Sequence, residues 1–221
     1  SHENLGEADR RRLRGHLQEL GFTPPPVMDL VPVCSEGATR REMLDRVRRT
    51  CELVADLHWG ESDPVFKSPV VGEQPDWEGN EERILRDLQE VADVAADHGV
   101  TYATEVHVGT ALDSVNKARW LMDRNDNSNL ALNFDVSHFP RERFDVSEAV
   151  DVCAPYTVTT HVKDAEVVEG DVRFRLPGET DFPYEWLFSR LIAAGYRGDV
   201  IAEISAQLWR EPEFDEFPWH F

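Results

Sequence analysis

Short apolar runs alternate along this chain with longer stretches in which apolar residues recur every three or four positions. The short runs lie near 27–33, 63–68, 101–107, 130–136, 156–163 and 199–204. They are rich in β-branched and large apolar residues, and they read as six strands. The longer stretches read as helices. Leu13, Leu17 and Leu20 recur at helical spacing before Gly21, and Thr39-x-x-Glu42 forms a capping box ahead of Met43, Leu44, Val47, Cys51, Val54 and Ala55. A third helix is predicted from about Asn80, with Ile84, Leu88, Val91 and Ala95 inward and Gly99 as its stop. A fourth starts near Ser114 and carries Val115, Ala118, Leu121 and Met122. A fifth opens with Asp145-x-x-Glu148 before Ala149, Val150 and Val152. The last begins at Pro183, a good first helical position, and runs through Trp186, Leu187, Leu191 and Ile192 to Gly195.

Strands that alternate with helices build a parallel sheet from βα units. The ends of four runs are polar: Glu105 closes 101–105, Asp135 closes 130–135, His161 closes 157–161 and Glu203 closes 200–203. In an α/β barrel the C-terminal ends of successive strands converge on one pocket, so these four side chains would meet there. Three carboxylates and an imidazole suit a divalent metal that prefers oxygen. One such residue is a common coincidence; four in register on consecutive strands are not. A closed barrel needs eight strands and typically ~250 residues, against six strands and 221 residues here. The expectation is a (β/α)8 barrel lacking its first one or two strands in this chain, with a six-stranded open sheet as the competing architecture. One domain over residues 1–221 is expected, with 206–221 as a C-terminal aromatic and acidic tail that docks on the barrel or on a neighbouring subunit. The loops near 24–26, 69–75 and 170–181 are expected to be irregular connections.

Hydrophobic residues make up 41% of the chain, and no run approaches the roughly 18 apolar residues of a membrane span. Cys34, Cys51 and Cys153 share no metal-binding spacing, and the latter two fall on apolar helix faces as small buried hydrophobes. A reducing, cytoplasmic setting fits these thiols. Asp and Glu total 43 against 23 basic residues, for a net charge of −20 spread along the chain. The spread reads as a heavily solvated acidic surface. DNA or RNA would meet a repulsive field.

At these strand ends the sequence resembles the xylose isomerase-like TIM barrels. That superfamily includes sugar phosphate isomerases and epimerases, AP endonuclease family 2-like proteins, inosose dehydratase and endonuclease IV. The matching pieces are Thr104-Glu105-Val106-His107-Val108-Gly109, then Asn133-Phe134-Asp135-Val136-Ser137-His138-Phe139, then His161-Val162-Lys163-Asp164. Leu176-Pro177-Gly178-Glu179 follows, and finally Gly195-Tyr196-Arg197-Gly198 leads into Ile201-Ala202-Glu203-Ile204. The resemblance implies that Glu105, Asp135, His161 and Glu203 bind Mn²⁺, Mg²⁺, Co²⁺ or Zn²⁺. It also implies that Glu105 and Glu203 act as an acid/base pair on opposite faces of a sugar.

The chemistry implied is isomerisation or epimerisation of a ketose, sugar phosphate or related polyol or sugar acid through an enediolate. A metal lowers the cost of the developing negative charge, and the paired glutamates move the carbon-bound proton. Three carboxylates leave a dication's surroundings net negative, so a neighbouring cation or proton donor is expected, with His138 and Lys163 as candidates. His107, His138, Lys163 and Arg173 are the candidate substrate contacts, and Asn133 is a candidate support for the metal ligands. The alternatives are an inosose dehydratase-like metal enzyme and a non-catalytic sugar-binding barrel. Endonuclease chemistry is disfavoured by the charge, by Asp171-Val172-Arg173 where that branch has Asp-x-His, and by Lys67 where it would need a histidine. The expected partner is a small-molecule carbohydrate, with neither nucleic acid nor membrane, and a homo-oligomer is left open.

Overall fold

The computed structural model describes residues 5–34, 37–71, 76–141 and 143–204. The chain divides into two compact units, residues 1–133 and 134–221, with the boundary inside one strand.

The first unit runs α1 (Glu7–Glu19), β1 (Val27–Met28), α2 (Gly37–Leu57), β2 (Val65–Pro69), α3 (Glu81–Ala96), β3 (Thr101–Glu105), α4 (Val115–Arg124) and the start of β4 (Leu130–Asp135). Its four strands pair in the order β1-β2-β3-β4. All three pairings are parallel, with Phe66 opposite Tyr102 and Glu105 opposite Asn133. Strands covered on both faces read as continuous apolar runs, and every residue of β2 is buried, including Lys67. The expected inner face of α3 holds, because Ile84, Leu88, Val91 and Ala95 are all fully buried. Gly99, at φ 66°, ends that helix in the left-handed conformation open to glycine, and its N–H bonds the Ala96 carbonyl. Ser114 caps α4 as predicted, its side chain accepting from the Lys117 N–H.

Four expectations shift in this unit. β1 spans two residues instead of seven, and β3 stops at Glu105. α2 already begins at Gly37, so Thr39 lies inside its first turn and does not open it. On α2, Ala55 faces solvent and Leu53 is buried in its place. α1 forms but buries none of its residues, and it is tied to α2 by an Arg10–Asp56 ion pair of 3.0 Å.

The second unit holds the end of β4, a single 3₁₀ turn (Val136–His138), α5 (Val146–Cys153), β5 (Thr157–Val162), β6 (Asp164–Val168), β7 (Asp171–Arg175), α6 (Tyr184–Ala193) and β8 (Val200–Ala202). β5 and β8 are parallel, with His161 opposite Ile201. The Glu203 N–H extends their ladder to the Val162 carbonyl at 3.1 Å. Thr160 Oγ1 donates to the Phe134 carbonyl at 2.5 Å, fastening β5 to the end of β4. Asp145 caps α5 as the sequence predicts, accepting from the Ser147 and Glu148 N–H groups.

The 170–181 stretch is only partly an irregular connection. β6 and β7 form an antiparallel hairpin, with Val168 opposite Asp171 across Glu169 and Gly170. Both turn residues have positive φ, 52° and 91°, the signature of a tight mirror-image turn. Glutamate is an unusual residue at such a position, which is why the sequence pattern hid the turn. Pro183 sits one residue before α6, and Ile192 is exposed while Leu187 and Leu191 fill the core. Leu187 and Leu191 are four apart on one face, and Ile192 is a further 100° round the helix. The tail at 206–221 and residues 72–75 of the 69–75 loop lie outside the described residues.

Candidate metal centre

The second unit gathers three of the four predicted ligands. Asp135 ends β4, and the chain turns at once into the 3₁₀ segment because Asp135 Oδ1 accepts from the Ser137 N–H at 2.8 Å. That bond occupies one carboxylate oxygen and presents the other, Oδ2. His161, on β5, places Nδ1 3.8 Å from Asp135 Oδ2 and 2.7 Å from Glu203 Oε2. One donor atom from each of Asp135, His161 and Glu203 lies within 4.8 Å of the others. Asp135 and His161 are buried, while the Glu203 side chain keeps 31% exposure at the mouth.

The expected neighbouring cation is Lys163, between β5 and β6. Its ammonium lies 3.0 Å from Asp135 Oδ2 and 3.0 Å from Glu203 Oε2, and 4.5 Å from the centre of the Phe174 ring. His138 is also here, with Nε2 3.6 Å from Asp135 Oδ2 and its ring edge-on to Phe174 at 5.4 Å.

Burial works against every charge in this cluster, and the partners decide the outcome. For Asp135, burial would raise the carboxyl, but His138, Lys163, His161 and the Ser137 N–H together hold it well below the usual carboxylate range. Burial would lower Lys163, yet Asp135 and Glu203 push it above the ordinary lysine value. Burial and Asp135 would raise Glu203, while His161 and Lys163 bring it below its ordinary value. The set therefore rests as two carboxylates clasping one ammonium around an imidazole. Two adjacent carboxylates and an imidazole, held together around a single ammonium, have the charge and donor types a divalent cation requires, so the residues fit such an ion.

Asp164 carries a role that sequence reading passed over. Its Oδ2 accepts from the Gly178 N–H (3.1 Å), the Thr180 N–H (2.6 Å) and Thr180 Oγ1 (2.8 Å), and its Oδ1 accepts from the Tyr184 hydroxyl. It fastens the loop after β7 directly behind Lys163. The adjacency of His161-Val162-Lys163-Asp164 and Leu176-Pro177-Gly178-Glu179 in the sequence pattern was its only signal. Phe174, a neighbour to both His138 and Lys163, was likewise missed. Arg173 lies exposed, and Phe174, one residue on, is the buried side chain that meets the cluster. On a strand, neighbouring side chains point to opposite faces, so Arg173 is directed away from it.

In the first unit, Glu105 is buried at the end of β3. Its Oε1 accepts from Asn133 Nδ2 at 2.8 Å, so Asn133 supports a candidate ligand as expected, through the neighbouring strand. His107 lies just past β3, with Nδ1 2.6 Å from the Val108 carbonyl oxygen. The three cysteines are buried, and burial pushes Cys34 up to about 11 and Cys51 and Cys153 up to about 12, as expected of packing residues. Among the described residues no helix is long and apolar enough to cross a membrane.

Comparison with known proteins places these features in a family context. The family model for the xylose isomerase-like TIM barrel matches residues 1–216. Inosose dehydratase of Geobacillus thermodenitrificans is 23% identical over 155 residues, covering 63% of this chain and 51% of that protein. The chain spans about half the length of the curated relatives it matches. The solved structure of the IOLI protein with a bound zinc atom superposes with a TM-score of 0.74 at 19% identity, covering 93% of this chain and 74% of the other. D-psicose 3-epimerase from Clostridium cellulolyticum H10, solved with D-tagatose, superposes with a TM-score of 0.73 at 18% identity, covering 90% and 70%.

Proposed function

The chain belongs to the xylose isomerase-like TIM barrel family, and on that premise we propose that it is a divalent-metal-dependent isomerase or epimerase of a ketose or related polyol or sugar acid. The observation that carries the reading is the convergence of Asp135, His161 and Glu203 at the ends of β4, β5 and β8, with Lys163 between the carboxylates. Glu105, at the end of β3, is the proposed fourth ligand. Its support is its strand-end position and the family barrel, in which successive strand ends face one pocket. When bound, a Mn²⁺, Mg²⁺, Co²⁺ or Zn²⁺ ion would stabilise the negative charge of an enediolate.

The chain's own residues supply the rest. Glu203 is the proposed base that takes the proton from the carbon beside the carbonyl, a role supported by its lowered pKa and partial exposure, and Glu105 is the proposed partner that returns a proton from the opposite side. Lys163 holds Glu203 and Asp135 in place and is available to donate a hydrogen bond to a substrate oxygen. His138, buried against Phe174, is the proposed donor to a second oxygen, and His107 is a proposed outer contact; Arg173, directed away from the cluster, is not part of this proposal. The relation to inosose dehydratase supports a second reading, in which the same base removes the proton and a β-hydroxyl is expelled. The proposed setting is cytoplasmic and the proposed partner a small carbohydrate.

The test is solvent isotope exchange with Mn²⁺-loaded protein in D₂O and a panel of ketoses and inososes. Deuterium entering the carbon beside the carbonyl, lost in Glu203→Gln and Glu105→Gln, supports the enolising reading, and water loss in the same assay separates dehydratase from epimerase. No exchange into any member would leave a non-catalytic barrel.

A further inference from the structure

Phe174 lies on β7, opposite Ala165 in the β6–β7 hairpin. Lys163 is two residues before Ala165, and in extended chain such residues share a face, so lysine and ring meet as diagonal cross-strand neighbours. The ammonium stands over the ring, 4.5 Å from its centre. Both residues are nearly out of water, Phe174 at 8% exposure and Lys163 at 2%. An aromatic ring carries negative potential on its face, so a cation set over it is attracted, and most strongly where water is excluded. Burial puts this pair at the strong end of that range.

Three contacts hold the ammonium: Asp135 Oδ2 and Glu203 Oε2, each at 3.0 Å, and the Phe174 ring. They differ in what can replace them. The two oxygens are the donors that a hard divalent ion seeks, so an ion held by Asp135 and Glu203 would compete with the ammonium for them. The ring offers such an ion no oxygen and is the contact that stays with the lysine. It also spends little of the ammonium's bonding. Each carboxylate oxygen takes an N–H, whereas a ring face attracts the charge as a whole and leaves the N–H groups to other acceptors.

The ring's own place is fixed from outside the cluster. Arg175, the next residue, pairs with Glu166 across the hairpin at 2.7 Å, and Asp164 holds the loop after β7 through its four donors. These bonds involve none of the proposed ligands, so an ion entering the cluster displaces none of them. His138 stands at the same ring, with 5.4 Å between centroids and the planes at 89°. One ring therefore sets the relative places of the lysine and the histidine.

We propose that Phe174 is a positioning residue for Lys163: its ring holds the ammonium beside the cluster, so that the charge stays next to the reacting centre when a divalent ion occupies Asp135 and Glu203. The proposal rests on the reading of that cluster as a metal centre.

The experiment replaces Phe174 by mono-, di- and trifluorophenylalanine, which keep the shape of the ring nearly unchanged while removing the negative potential of its face step by step. The series is made in wild type and in Lys163→Met. Urea unfolding reads the metal-free proteins, isothermal titration calorimetry reads their Mn²⁺ affinity, and circular dichroism confirms each fold. With Lys163 present, the unfolding constant should rise with each fluorine, roughly tenfold across the series, and in Lys163→Met the dependence should vanish. Mn²⁺ affinity should stay unchanged or weaken along the series, because linkage makes any change in affinity the difference in ring contact with and without the ion. An equal dependence in Lys163→Met would reduce Phe174 to a packing residue and overturn the proposal. So would a flat series, or Mn²⁺ affinity that tightens with fluorination, since the ammonium would then be leaving the ring as the ion binds. These failures leave Mn²⁺ binding by wild type intact, whereas its absence there overturns the metal reading and the proposal with it.

Discussion

Lys163→Met tests the electrostatics of the cluster most severely, because it removes the cation and keeps the apolar stem that lies against Phe174. The Lys163 and Asp135 side chains are 2% and 0% exposed, so the substitution strands a buried carboxylate. Breaking a buried ion pair in this way costs about 3–5 kcal/mol. The lower end applies, because Glu203 is 31% exposed and water can screen its share. A loss of about 3 kcal/mol lowers Tm by roughly 6–12 °C for a chain of this size. A divalent ion would restore the missing charge at the same two oxygens. Saturating Mn²⁺, at about 100 times its Kd, adds about 2.7 kcal/mol to any protein that binds it only when folded. The variant binds more tightly than wild type because no ammonium has to be displaced. The assay is thermal and urea unfolding of both proteins with chelator and with Mn²⁺. The expected outcome is a large gap in chelator that narrows with Mn²⁺. A gap below about 1 kcal/mol in chelator, or one that Mn²⁺ leaves unchanged, would refute the reasoning.

Three further outcomes follow from the same geometry. In metal-free protein, Asp135 sits below its ordinary value, so its contribution is present above about pH 4 and lost as pH falls through the folded value. Lys163 sits above its ordinary value, so its contribution is full below about pH 10 and lost as pH rises through the folded value; urea unfolding from pH 3 to 11 should give a plateau between these limits, and a maximum outside them would contradict the assignment. Gly198→Ala would set a Cβ 2.3 Å from the Val158 carbonyl oxygen, and unfolding measurements should show a loss of about 1–3 kcal/mol; a neutral result would mean that this backbone contact is not kept in solution. Ellman's reagent should titrate no cysteine in the native protein and three in denaturant, since burial keeps all three thiols protonated; rapid native labelling would contradict their packing role.

Much of this arrangement was readable from the residues because the strongest physical signals are local. The helical spacing of Ile84, Leu88, Val91 and Ala95 predicts their burial, and Ser114 and Asp145 predict their caps from side-chain chemistry alone. Asp135, His161 and Glu203 were legible because a polar residue ending a buried parallel strand has few places to point. What escaped depends on contacts between distant segments. The four donors to Asp164 come from residues 14 to 20 positions away. The β6–β7 hairpin turns on a glutamate with positive φ, against its usual preference. The pairing of Phe174 with Lys163 follows from packing that no sequence period encodes.

The most direct measurement of the central claim is Mn²⁺ binding by equilibrium dialysis with elemental analysis, on wild type, Asp135→Asn and Glu203→Gln. The account predicts about one ion per chain in wild type and a large loss of affinity in both variants, with circular dichroism unchanged. Wild type that takes up no divalent ion, or variants that bind as tightly as wild type, would contradict it.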